Sequence, residues 1–162
     1  MKDRENIPRE GNKVSFRDDG CFVCGPNNPI GLKLKFEYDR DNKRATSKVT
    51  FRKEHQGWDG VVHGGLLAAV LDDVMAHSVL CTDNLAITTR FNIIYRSPVG
   101  TGETVYLEGQ VVEMKSRLAK VTGVAYTLNG EKDGRREIKC EAEAYYYLDS
   151  PGREKPGDTQ TT

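Results

Sequence analysis

Asp72 is the one charged residue at the centre of an otherwise uncharged helical face, and its surroundings suit proton handling. It lies within His55–His77, HQGWDGVVHGGLLAAVLDDVMAH, a segment that opens with turn residues: Gly57, Gly60 and the pair Gly64-Gly65. From Gly64 to about Leu80 there is no proline and much Leu and Ala, which predicts a helix. At 100° per residue, Leu66, Leu67, Val70, Leu71 and Val74 fall on one arc that suits packing on a sheet. Gly65, Ala68, Ala69, Asp72 and Ala76 fall on the other. A solvated face would carry Lys and Glu, so this small-residue arc is expected to approach a neighbour closely. Asp73 falls at the edge of the apolar arc, beside Leu66 and His77.

The first amides of such a helix lack intrahelical partners and carry partial positive charge. A carbonyl oxygen that becomes negative in a reaction could rest at Gly64 and Gly65. Asp72, two turns on, would then handle a water or a proton. The same residues allow a plainer reading, in which the glycines permit a tight entry and Asp72 caps or pairs locally.

The rest of the chain predicts the elements that hold this segment. At 162 residues it has the length of one domain, able to bury a core without staples. The 24 basic and 24 acidic residues balance, so no net field favours nucleic acid or an anionic membrane. No run is long and apolar enough to span a bilayer, and MKDRENIPRE has no signal-peptide core, which predicts a cytoplasmic protein. Residues 1–13 and 149–162 are polar and aperiodic and are expected to be flexible tails around one domain, 14–148. Strands are predicted at Leu32–Tyr38 and Arg44–Phe51 before the helix. Four more follow it, at Leu85–Tyr95, Thr104–Met114, Leu118–Leu128 and Arg136–Leu148. One helix cannot cover both faces of a parallel sheet, so the class is α+β with a mostly antiparallel sheet.

Cys21 and Cys24 form a CxxC. Zinc normally takes four ligands, and the other cysteines and histidines (Cys81, Cys140, His55, His63, His77) are scattered along the chain. A redox pair would sit at the start of a helix, whereas Gly25-Pro26 follows here. The expectation is a packed N-terminal knuckle with no metal, and metal and redox roles stand as the alternatives. No P-loop, GxGxxG or GxSxG is present, so no cofactor is expected and an α/β-hydrolase is excluded.

His63-Gly64-Gly65, with Asp72 nine residues after the histidine, resembles the active-site segment of hotdog-fold acyl-CoA thioesterases of the phenylacetic-acid-degradation (PaaI) type. Cys21–Leu32, CFVCGPNNPIGL, and Thr88–Pro98, TTRFNIIYRSP, resemble two further signatures of a subgroup. Together they cover roughly residues 20–148. The resemblance implies a hotdog fold, in which the sheet wraps one long central helix, and hydrolysis of an acyl-CoA to free acid and CoA. It implies Asp72 as general base or nucleophile and the Gly65 amide as oxyanion donor, with Gly64 and His63 beside it. It also implies a homodimer or dimer of dimers whose sites are shared between chains.

Thr88 matches a threonine that holds the attacking water, although simple alternation puts Ile87, Thr89, Phe91, Ile93 and Tyr95 on one face and Thr88 on the other. Thr89 is therefore the second candidate. Arg117, in the Ser116-Arg117 hairpin, resembles a position that contacts the CoA phosphates, for which arginine's paired donors are suited, and a solvated turn arginine is the alternative. Arg90 and Arg96 are weaker candidates, and Trp58 either borders an acyl pocket or anchors its loop. Some members of the family it resembles carry a polar residue, often Asn, where this chain has Gly57, which weakens the assignment of a water-holding group there; His55 either partly fills that place or is a turn residue. The other functions considered are a non-catalytic acyl-CoA binding or sensing module and a hotdog dehydratase or isomerase.

Overall fold

The computed structural model describes residues 19–129 and 134–149. Eight strands and one long helix follow in the order β1 (Glu37–Asp39), β2 (Arg44–Thr50), β3 (Gln56–Trp58), β4 (Val61–Val62), α1 (Gly64–Leu80), β5 (Leu85–Tyr95), β6 (Thr104–Lys115), β7 (Leu118–Asn129) and β8 (Arg135–Asp149). Six of the strands form one antiparallel sheet in the order β1-β2-β6-β7-β8-β5, and β3 and β4 make a separate small hairpin. The sheet packs around α1, as the resemblance implies. The expected tails lie outside the described residues, except for Asp149, which closes β8.

The apolar arc of α1 supplies the core: Leu67, Val70, Leu71, Val74, Met75 and Val79 are all buried. They meet inward residues of the sheet such as Leu107, Val121, Ala144 and Tyr146. What lets the helix lie so low is a row of small residues in register across the sheet. Ala45 pairs with Gly109, Gly109 with Gly123, and Gly123 with Ala142. A Cβ on Gly109 would stand 2.7 Å from the Val74 carbonyl oxygen and 2.8 Å from Met75 Cα. A Cβ on Gly123 would meet the Met75 thioether, with Cγ at 2.7 Å.

Two expectations change. The strand predicted over Leu32–Tyr38 shrinks to β1. Lys33 has a left-handed backbone (φ 55°), and the amides of Leu32 and Leu34 donate to the Phe22 and Val23 carbonyls instead. The loop before the helix also contains the β3–β4 hairpin, which was not predicted. Its paired stretches are too short to show a period, and the pairing is irregular at Gly57.

The glycine row yields a graded prediction. Gly109→Ala presses on helix backbone that cannot yield, so it should cost roughly 2–3 kcal/mol. Gly123→Ala presses on a flexible thioether that can turn aside, so it should cost about 1 kcal/mol. Denaturant midpoints of the two variants check the order; equal small losses would show that the helix does not rest on this row.

Candidate active site

Asp72 projects from α1 toward β5 and β8. Its Oδ1 accepts hydrogen bonds from Thr88 Oγ1 at 2.9 Å and from Tyr146 OH at 2.9 Å. The Tyr146 hydroxyl also lies 3.0 Å from the Asp72 carbonyl oxygen. Tyr146 is fully buried. Burial first, and the Asp72 carboxylate second, hold its phenol far above the usual range, so it remains a donor. Both hydroxyls meet the same oxygen, and among the described residues no hydrogen bond reaches Oδ2. The carboxylate, half-buried on the helix flank, is fixed in orientation with one oxygen left for chemistry.

A β-bulge explains how Thr88 reaches Asp72 within one chain. In the β5–β8 pairing Thr88 faces Tyr146 and Arg90 faces Tyr145, so Thr89 is the extra residue. The bulge moves the alternation by one position. Before it Ala86 and Thr88 face the helix, and after it Phe91 and Ile93 do. The continuous alternation read from the sequence is therefore wrong across residues 87–91. Thr89 turns away and donates to the Tyr145 carbonyl at 2.8 Å. No local signal in Thr88-Thr89-Arg90 marks the bulge, because it comes from pairing with β8.

At the helix start, His63 is the N-cap, and its Nδ1 accepts the Gly65 N–H at 2.9 Å. This corrects the expectation that the first amides are open: the imidazole takes the Gly65 donor. Tyr95 OH donates to the Gly64 carbonyl at 2.8 Å and ties the end of β5 to this turn. His63 also donates its amide to the His55 carbonyl, while His55 Nδ1 accepts from the Arg52 amide. His55 is thus a turn residue here. A side chain at Gly57 would lie 3.1 Å from His63 Cα, so the glycine makes room for the histidine.

The helix start and Asp72 are not brought together within one chain. Seven residues at 1.5 Å each separate Gly65 from Asp72 by about 10 Å along the axis. Ser116 and Arg117 form the β6–β7 turn, where Arg117 Nη1 donates to Tyr147 OH at 3.0 Å. The Leu148 amide also donates to the Arg117 carbonyl at 2.8 Å, and among the described residues no hydrogen bond links this turn to Asp72. Arg96 pairs with Glu141 at 2.8 Å. Trp58 is 83% exposed at the β3–β4 hairpin.

Asp73 meets different surroundings from its neighbour. Its carboxylate converges with Cys21 and Cys24, the ligand atoms of all three lying within 4.8 Å of one another. His77 Nε2 is 3.8 Å from Asp73 Oδ2. Burial first, then the Asp73 carboxylate, pushes the Cys24 thiol far up. Asp73 thus adds a third potential ligand that the spacing of cysteines and histidines alone does not reveal.

Residues 59–133 match the family model described as Thioesterase superfamily. Human acyl-coenzyme A thioesterase 13 is 33% identical over 74 residues, 44% of this chain and 53% of that protein. The chain thus spans about half the length of such curated relatives. A crystal structure of a thioesterase superfamily protein superposes with a TM-score of 0.70 at 24% identity, covering 80% of this chain and 60% of that one. A hypothetical thioesterase protein from Streptococcus pneumoniae TIGR4, solved with coenzyme A, gives a TM-score of 0.63 at 16% identity, covering 72% of this chain and 89% of that one. At these identities the structural likenesses establish the fold. No helix among the described residues is long and apolar enough to cross a membrane. With its antiparallel sheet wrapped on one long helix, the chain has the hotdog fold of these neighbours, and the stretch from Asp59 through that helix is similar to the thioesterase superfamily.

Proposed function

We propose that the protein hydrolyses acyl-CoA thioesters, with Asp72 as the general base. The observation that carries this reading is the Asp72 carboxylate, held at one oxygen by the Thr88 and Tyr146 hydroxyls on a half-buried flank. Oδ2 takes a proton from a water, and the water oxygen bonds to the thioester carbon. Thr88, while donating to Asp72, still has lone pairs to accept a hydrogen bond from the water's second O–H, which stays on the oxygen that joins the acid. The carbonyl oxygen gathers the negative charge, and collapse breaks the C–S bond to give the acid and the CoA thiolate, which takes up the proton. The names of the curated relatives and the coenzyme A in the pneumococcal neighbour support CoA thioesters as the substrate class.

The Gly65 amide is the oxyanion donor in this account. His63 must first swing off it, giving up one neutral hydrogen bond worth about 1 kcal/mol. An oxyanion donor is worth roughly 3–4 kcal/mol in the transition state, so the exchange is favourable. Attack needs reacting atoms about 3–3.5 Å apart, far less than the separation of Gly65 and Asp72 along one helix. The site is therefore composite: one chain's His63–Gly65 turn serves its partner's Asp72. The edge strand β5 suits such pairing, since its unpaired edge is long and carries Ile87, Ile94 and Tyr95, each about half exposed. The Ser116–Arg117 turn receives the CoA phosphates from the solvent side.

Asp72→Asn should lower thioester hydrolysis by about 10²–10⁴-fold with the fold intact. A thiol-release assay over short, long and aromatic acyl-CoAs checks this, and wild-type turnover by the variant would refute it. The shared site is checked by mixing Asp72→Asn with Gly65→Pro protein under subunit exchange. Proline is tolerated in the first helical turn but removes the N–H. Each mixed dimer should regain up to about half of a wild-type dimer's activity, because one of its two composite sites is intact, and under random exchange roughly half of the dimers are mixed. Proven exchange without any recovery would place both groups in one chain.

A further inference from the structure

The CxxC knuckle and the residue beside Asp72 form a second constellation that hydrolysis does not use. The amides of Val23 and Cys24 both point at Cys21 Sγ, at 3.3 and 3.4 Å. The Gly25 amide closes the turn on the Cys21 carbonyl at 2.9 Å. The chain is thus wound so that Cys21 and Cys24 face one point, and Asp73 reaches that point from α1, with all three ligand atoms within 4.8 Å.

We propose that Cys21, Cys24 and Asp73 bind one zinc ion. Two sulfurs and a carboxylate converge in a partly buried place, close enough for one ion to touch all three. Two sulfurs with one oxygen suit zinc, which takes mixed S and O ligands tetrahedrally, better than magnesium or calcium, which take oxygen. Water completes the coordination.

His77, one helical turn beyond Asp73, supports the carboxylate. Its Nε2 faces Asp73 Oδ2, its Nδ1 is bonded to Tyr38 OH at 2.7 Å, and its ring stacks on Phe36 at 3.8 Å. Such outer contacts orient a metal-binding group. The ion would clamp the segment that bears the knuckle to α1, one residue from Asp72, and so fix the helix flank opposite β5. This clamp is independent of what Asp72 does.

The test uses the full-length chain, produced without a histidine tag in zinc-supplied medium and purified without chelator. Elemental analysis should find about one zinc per chain. After zinc removal, titration with Co²⁺ should give intense visible bands of tetrahedral cobalt with thiolate charge-transfer absorption, saturating at about one equivalent. Cys24→Ser and Asp73→Asn should each abolish that saturation. Because the wild-type spectrum is read directly, the result does not depend on the variants folding. Trace zinc together with no cobalt–thiolate band in the wild type would overturn the proposal. A full-strength tetrahedral band in Asp73→Asn would overturn the ligand set.

Discussion

The close approach of α1 to the sheet over Gly109 and Gly123 is the contact on which the rest of the molecule depends. Helix backbone sits where side chains would otherwise stand, so α1 can neither roll nor rise without losing the packing of Leu71, Val74 and Met75. Its rotation about its own axis is thereby fixed. That rotation decides what two neighbouring carboxylates meet. Asp72 turns to β5 and β8, and Asp73, 100° further round, turns to the N-terminal knuckle.

A carboxylate on a half-buried flank loses hydration, which would favour a rotamer turned toward water. Two hydroxyl donors on Oδ1 oppose this, each hydrogen bond to a charged group contributing about 1.5–3 kcal/mol. One donor, Tyr146, is anchored in the core. The other, Thr88, is delivered by the bulge at Thr89. Core packing and strand irregularity therefore meet at one oxygen. The same pairing leaves β5, the strand that holds Thr88, at the edge of the sheet.

The parts governed by local periodicity were legible in the sequence. The helix runs from Gly64 to Leu80 as the arcs of Leu and Ala imply, and the strands from β5 onward fall within a residue or so of their predicted ends. Asp72 could be singled out because it is the lone charge on a small-residue face. What the sequence did not show depends on partners far along the chain. The bulge that turns Thr88 inward requires β8, and the function of Gly109 and Gly123 is visible only once the helix lies on them. The Asp73–Cys21–Cys24 cluster joins residues some fifty positions apart. Periodicity also misplaced residues 32–36, where the Lys33 backbone and the bonds to Phe22 and Val23 override an alternating pattern.

The central claim is that Asp72 and a helix start from another chain close on one thioester. A crystal structure of the Asp72→Asn protein with a bound acyl-CoA tests it most directly. The account predicts the thioester oxygen at hydrogen-bond distance from one chain's Gly65 amide, with His63 displaced. The thioester carbon should lie within reach of a water held by residue 72 and Thr88 of the other chain. A thioester bound away from residue 72, or one held by the Gly65 amide and residue 72 of a single chain, would contradict the account.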